Sequence, residues 1–322
     1  MSEFRRNPFT GEWTVYASNR ENKPYEFRWG QKKETGTENC PFCPGHEGNT
    51  TPVLYEKMVD GKWQIRVFEN MFPIVGEGST HMEMGFYEGV AGIGRHEVVV
   101  DTPNHEETID RFSLERLGWV LETLRLRYQD MEKEKNTCHV QVFKNCGASA
   151  GMSIHHSHWQ IVSIPIQSAR IQRIAEHSMK EGCLFCRMMK WEKEKGIRIA
   201  EENNSFLAVT PYASRYAYEV WILPKVHKST FTALTEEEMA DFAQMLHCIL
   251  PKIAALREDI GYNLCFMDGS KGMDFHWHLQ ILPRIGGVAG FEHATDCYIN
   301  TVLPETAAAY YKEENRIEKK SR

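Results

Sequence analysis

The chain lacks any run near the about 20 apolar residues that a membrane-spanning helix needs, so no membrane partner is expected. Its opening residues, MSEFRRNPFTGEW, lack the apolar stretch of a secretion signal, and a cytoplasmic location is expected. It also lacks positive charge in excess: the net charge is −6, which argues against nucleic acid as a partner. A local basic pocket for a phosphorylated small molecule remains compatible with that balance. An even cysteine count is missing too. Nine cysteines in a chain of this character predict no disulfide framework.

What is present fits a soluble globular protein of 322 residues, with 42% hydrophobic and 25% charged residues, enough for two ordinary domains. Four of the cysteines form two Cys-x-x-Cys pairs, Cys40/Cys43 and Cys183/Cys186. The other five read as small buried hydrophobes.

The chain says one thing twice. Each half has a Cys-x-x-Cys, then a strand ending in a Pro-x-His or Pro-x-x-His turn (GRHEVVVDTPNH, YEVWILPKVH). Each continues with a helical segment and ends on a strand carrying His-x-His-x-Gln. The spacing from His105 to His156 nearly equals that from His227 to His276, while the Cys-to-His gap is longer in the first half. The extra residues fall in the polar, Gly-rich VGEGSTHMEMGFYEGVAGIG, where a surface loop tolerates them. Leu114, Leu117, Val120, Leu121 and Leu124 mark one face of a helix. The expected architecture is α+β: two repeated halves, residues 1–168 and 169–322, with antiparallel sheets flanked by helices and a charged C-terminal tail.

Cys40, Cys43, His105 and His156 are two thiolates and two imidazoles, a set that suits zinc. Cys183, Cys186, His227 and His276 repeat it in the same order. A lone Cys-x-x-Cys is a weak signal; two ordered sets predict one or two structural metal sites per chain, with iron left open at the second.

In GASAGMSIHHSHWQ, a strand reading puts His156, His158 and Gln160 on one face and His155, Ser157 and Trp159 on the other. A metal on His156 would restrict the position of His158, as a nucleophile or base requires. The blander reading of His158 is a polar residue beside a metal site. The preceding NCGASAGMS offers small residues, hydroxyls and backbone amides suited to phosphate.

FKNCGASAGMSIHHSHWQ resembles the active-site motif of galactose-1-phosphate uridylyltransferases, part of the histidine triad superfamily. The resemblance runs from RRNPFTGEWTVYASNRENKP to GFEHATDCYINTVLPE, nearly the whole chain. It implies two histidine-triad-like halves, with the active-site motif in the first half and sugar-side residues in the second. His158 would be the nucleophile that takes the nucleoside monophosphate, and Gln160 would hydrogen-bond the transferred group. Asn145 and Ser153 would bind phosphate or orient the loop. Arg20 would lie near the phosphates, Asn70 and Phe143 in the nucleotide pocket, and Glu292 at the sugar. The first Cys/His set matches the family's zinc ligands, and a homodimer is a family trait. Ser157 stands in place of the family's proline, Lys23 in place of a second arginine, and Met71 where aspartate is frequent. GFEHATDCYIN is closer to relatives acting on adenine nucleotide sugars. Base and sugar therefore stay open.

Glutamine cannot act as an acid or base near neutral pH. His-x-His-x-Gln therefore favours a leaving group that is already a stable anion, such as a sugar phosphate. The expectation is a nucleotidyltransferase acting on nucleotide sugars and sugar 1-phosphates by a ping-pong route through nucleotidyl-His158. The alternatives are a phosphorylase, a slow nucleotide hydrolase, or a non-catalytic nucleotide or sugar-phosphate sensor. The second motif, His276-Trp277-His278-Leu279-Gln280, is either a second active site or a structural remnant. Its approach, MDGSKGMDF, lacks the Asn-x-Gly, which favours the remnant.

Overall fold

The computed structural model describes residues 2–17, 20, 36–77 and 85–313. The strands are β1 (Ser2–Arg6), β2 (Trp13–Ala17), β3 (Val53–Val59), β4 (Lys62–Glu69), β5 (Gly89–Ala91), β6 (His96–Val100), β7 (His139–Cys146), β8 (His158–Ile164), β9 (Ile199–Glu202), β10 (Phe206–Val209), β11 (Val220–Pro224), β12 (Tyr262–Met267) and β13 (His278–Pro283). The helices are α1 (Leu114–Glu132), α2 (Ala169–Ser178), α3 (Leu184–Lys195), α4 (Glu236–Ala254), α5 (Gly290–Thr295) and α6 (Pro304–Lys312). None is long and apolar enough to cross a membrane.

Ten strands form one sheet in the order β3-β4-β6-β8-β7-β12-β13-β11-β10-β9, every pair antiparallel. The order is a palindrome of equivalents: β8 matches β13, β7 matches β12, and the two halves join where β7 pairs with β12. The sheet is therefore α+β in the expected sense, and it runs through both halves without a break. A small sheet, β2-β1-β5, packs beside it through Phe4 and Val75.

α1 and α4 cover one face of the large sheet. Each begins at a hydroxyl that accepts a backbone N–H: Ser113 from Arg116, and Thr235 from Glu238 in a full capping box. Their apolar faces share one core with Val142, Trp159, Leu264, Phe266, Trp277 and Leu279. Leu114 differs from the expected stripe: as the first residue of α1 it is exposed, whereas Leu117, Val120, Leu121 and Leu124 are buried.

With one face closed by helices, the alternate residues of each strand are left for chemistry. Direct Cα partners place Gln160, Phe143, Cys265, Gln280 and Trp221 in a single row across five strands, on the face away from α1 and α4.

Candidate active site and metal-binding clusters

The sequence places His156 on the same strand as His158; the structure starts β8 at His158 and leaves His156 in the bend before it. The reason lies in the partner strand. β6 ends at Val100, opposite His158, and its chain then turns through Pro103, which has no N–H to continue a ladder. The same offset recurs at β13, which begins at His278.

Both Cys/His sets converge. The ligand atoms of Cys40, Cys43, His105 and His156 lie within 4.8 Å of one another, as do those of Cys183, Cys186, His227 and His276. In the first set, Cys43 Sγ lies 3.3 Å from His105 Nδ1 and 3.6 Å from His156 Nδ1, with Cys40 Sγ 3.5 Å from His156 Nδ1. In the second, Cys183 and Cys186 Sγ each lie 3.4 Å from His276 Nδ1, and Cys186 lies 3.7 Å from His227 Nδ1. A tetrahedral ion with metal–sulfur and metal–nitrogen bonds of about 2.3 and 2.0 Å would separate S from N by about 3.5 Å. Both sets therefore fit such an ion. The opposite ring nitrogens are also committed: His156 Nε2–H donates to the Thr102 carbonyl at 2.8 Å, and His276 Nε2–H to the Pro224 carbonyl at 2.9 Å. His227 Nε2 meets Asp274 at 2.9 Å. These bonds leave Nδ1 unprotonated toward each cluster. Burial first, then the neighbouring Cys40, pushes the Cys43 thiol up to about 12; a bound dication would reverse that and take the proton's place. The first cluster is wholly buried and the second half-buried apart from His276.

The nucleophile candidate is oriented by a single bond. His158 Nδ1–H donates to the His156 carbonyl at 2.8 Å, so Nε2 carries the lone pair. Among the described residues that nitrogen has no hydrogen-bond partner. Burial, and then the Lys144 charge, lowers the His158 pKa to about 4, keeping the ring neutral. The Phe42 ring, from between the two cysteines, stands 5.3 Å from it.

Gln160 faces the same way, half-buried. Its Oε1 lies 2.9 Å from His96 Nε2. The Ile74 N–H donates to His96 Nδ1, which leaves the proton on Nε2 and makes Oε1 the acceptor. The Gln160 amide N–H groups are then turned toward the open face. Asn70 Nδ2 comes within 3.1 Å of the same His96 nitrogen, so Asn70, His96 and Gln160 form one patch. Phe143 is the direct neighbour of Gln160 on β7. Two residues on, Asn145 accepts from Asn263 at 2.8 Å.

The Gly-rich loop is tighter than its composition suggests. Gly147 and Gly151, both at positive φ, bracket a single 3-10 turn at residues 148–150. The amides of Ala150, Gly151 and Met152 bond within the loop, so those three are not anion donors. Gly261 of the second half lies so close that a Cβ there would meet Ala150 N at 2.9 Å. Ser153 is exposed at the loop's end. Glu292 folds back to accept the Ala289 N–H at 3.1 Å, and none of its hydrogen bonds reaches the row of Gln160. Arg20 is described and half-buried, but residues 18–19 and 21–35, Lys23 included, lie outside the described residues.

One component was not anticipated. The buried Lys144 Nζ donates to Asp101 Oδ2 at 2.8 Å, Ser157 Oγ at 2.8 Å and the His158 carbonyl at 3.0 Å. It ties β6 and β7 to the backbone between His156 and His158, at Ser157. Lys144→Met should leave Asp101 buried and unpaired and cost about 3–5 kcal/mol in denaturant unfolding. Adding Asp101→Asn should recover part of that. A loss below about 1 kcal/mol, as for an exposed pair, would contradict the clamp.

The second motif keeps the tautomer but closes the nucleophile. His278 Nδ1–H donates to the His276 carbonyl at 2.9 Å, and Gln280 Nε2 donates to His278 Nε2 at 3.1 Å. Phe185, Trp221 and Phe275 pack around the ring, with centroids 4.9, 5.2 and 6.0 Å away. In the first half the positions of Trp221 and Phe275 are held by Val98, which pairs Gln160, and by the exposed His155. With these smaller and more polar walls His158 keeps 7% of its surface exposed, whereas the aromatic ones leave His278 none.

Residues 1–167 match the family model described as galactose-1-phosphate uridyl transferase, N-terminal domain. Residues 115–316 match a domain of unknown function, DUF4921. An ADP-glucose phosphorylase of Arabidopsis thaliana is 32% identical over 97% of this chain and 92% of its own. A galactose-1-phosphate uridylyltransferase of Thermotoga maritima is 28% identical over 97% of this chain and 98% of its own. The crystal structure of an Arabidopsis thaliana ADP-glucose phosphorylase with bound ADP-glucose superposes with a TM-score of 0.75 at 29% identity, covering 97% of this chain and 99% of that one.

Proposed function

The chain belongs to the galactose-1-phosphate uridylyltransferase family, and from that premise we propose that it moves a nucleoside monophosphate between phosphorylated carriers by way of His158. The single observation that carries this reading is the unpartnered Nε2 of His158, aimed by the Nδ1–His156 bond at the face where Gln160 turns its amide. In the first step Nε2 attacks the α-phosphorus of a nucleotide sugar. The N–P bond forms, the bond to the bridging oxygen breaks, and the sugar 1-phosphate leaves with the electron pair as a stable anion. In the second, an acceptor phosphate oxygen attacks the same phosphorus and His158 is restored. The similarity to ADP-glucose phosphorylase favours an adenylyl group, with inorganic phosphate as acceptor; a sugar 1-phosphate is the uridylyltransferase alternative.

The supporting roles belong to the same proposal. Gln160 steadies the phosphoryl oxygens, Asn145 and Ser153 border them, and Asn70 and Phe143 form the wall nearest the base. Arg20 and Glu292 keep the phosphate and sugar roles that the resemblance implies. Zinc is the ion proposed for both clusters, held by Cys40, Cys43, His105 and His156 and by Cys183, Cys186, His227 and His276. With four protein ligands each, its part is structural.

A panel of ADP- and UDP-sugars, each offered with inorganic phosphate or a sugar 1-phosphate, tests the assignment. Exchange with an ADP-sugar and phosphate is expected; no exchange with any pair sinks it. Gln160→His should raise hydrolysis of the nucleotide sugar relative to transfer by about tenfold or more, since a group titrating near neutrality can then activate water. An unchanged ratio would count against Gln160's role.

A further inference from the structure

The second half, closed as a catalyst, is not chemically silent. Arg170 Nη2 donates to Gln280 Oε1 at 3.0 Å, and Arg284 Nε donates to Asn263 Oδ1 at 2.6 Å. Gln280 occupies the position on β13 that Gln160 occupies on β8, and Asn263 on β12 is the direct cross-strand partner of Asn145 on β7. Arg284 and Arg215 both lie over the Tyr216 ring, 4.5 and 5.7 Å from its centroid, and Arg215 also lies 5.3 Å from that of Tyr298. Burial raises the Cys265 thiol pKa against the opposing fields of Arg170, Arg284 and Arg215, which places all three charges around one residue of the shared row.

Among the described residues none of the three makes an ion pair. The nearby carboxylate, Glu219, is occupied: it accepts the backbone N–H groups of Arg215 and Tyr216 and the Trp221 indole N–H. Each guanidinium has five N–H donors, and those of Arg170 and Arg284 use one apiece on side chains of the sheet. Three cations held by aromatic faces and amides, with most donors unspent and the charge of Glu219 offsetting only part of theirs, are arranged for an anion with several oxygens. The sheet face they share is the one on which Gln160 and Asn145 stand.

We propose that this face of the second half, lined by Arg170, Arg215 and Arg284, is a non-catalytic binding site for the phosphate group of a small molecule. The duplicate has lost the reachable nucleophile and kept, in a different set of side chains, an affinity for phosphate. Arg284 reaches Asn145 through Asn263, so occupancy would be felt at the catalytic loop.

Calorimetric titration of the intact, metal-loaded protein with inorganic pyrophosphate at low ionic strength tests this without turnover, so its failure leaves the reading of His158 untouched. Arg170→Gln/Arg215→Gln should remove one site per chain, weakening it by at least about tenfold. Arg170→Lys/Arg215→Lys, which keeps the charge and loses the fork, should fall between. Labelling at His158 should stay within about twofold, as these residues touch neither nucleophile nor loop. Competition by inorganic phosphate or by glucose 1-phosphate separates a free anion from a sugar phosphate. Identical isotherms for wild type and both variants would overturn the site. So would a wild type without this binding event whose oligomer dissociates on substitution, since the arginines would then serve a subunit contact.

Discussion

His158→Ala is expected to abolish nucleotidyl exchange, with kcat falling by about 10⁴-fold or more, the order reached when a covalent nucleophile is removed. The loss belongs in kcat because no neighbour can substitute. His156 and His105 turn Nδ1 into the Cys/His cluster, and His155 lies exposed on the far side of the backbone. His278→Ala makes the contrast. Its ring is fully buried against Phe185, Trp221 and Phe275, and its Nε2 is occupied by Gln280. Removing it should open a cavity costing about 3 kcal/mol of stability while leaving kcat within a few-fold. Steady-state kinetics and unfolding of both variants check the pair. Equal loss of kcat would mean that the second motif is catalytic, against its packing.

The second large effect concerns metal. Purified protein should carry two zinc equivalents per chain, and Cys40→Ser should carry one. Cys40 is wholly buried, and its cluster packs with Phe42, Trp63, Phe68, Val98 and Val100, so the ligand set, the small core and the His156 bend stand together. Metal binding and folding are coupled in such sites, and Tm should fall by about 10 °C or more, with loss of exchange because His158 hangs from the His156 carbonyl. Cys183→Ser should cost less, since its cluster is half open to solvent and orders a nucleophile that is already closed. Elemental analysis with calorimetry decides it. Metal-free protein that is folded and active would contradict the arrangement.

Much of this site was legible in residue order, because a strand's period and a repeated ligand set are local signals. The two Cys/His quartets, the shared face of His158 and Gln160, and the helices under Ser113 and Thr235 all follow from spacing. What the sequence left unread depends on partners distant in the chain. Nothing near Gln160 announces His96, which reaches it only because β6 pairs with β8. The union of the halves through β7 and β12 depends on which edge strand each half leaves open. Lys144 did leave a signal: it alternates with Val140 and Val142, which places a charge on the face that packs against the helices. A lysine there needs a buried anion, and Asp101 provides it. Ser157 supplies the same lysine with a hydroxyl acceptor. The exposure of Leu114 and the strand start at His158 are end effects: the one is the first residue of α1, the other lies opposite the last residue of β6.

The most direct test of the central claim is to map the covalent intermediate. The protein is incubated with a nucleotide sugar labelled on its α-phosphate, without acceptor, and its peptides are sequenced by mass spectrometry. A nucleotidyl group on His158, labile to acid, stable to base and discharged by inorganic phosphate or a sugar 1-phosphate, is the predicted result. Label on a serine or cysteine, or no label from any nucleotide sugar, would contradict it.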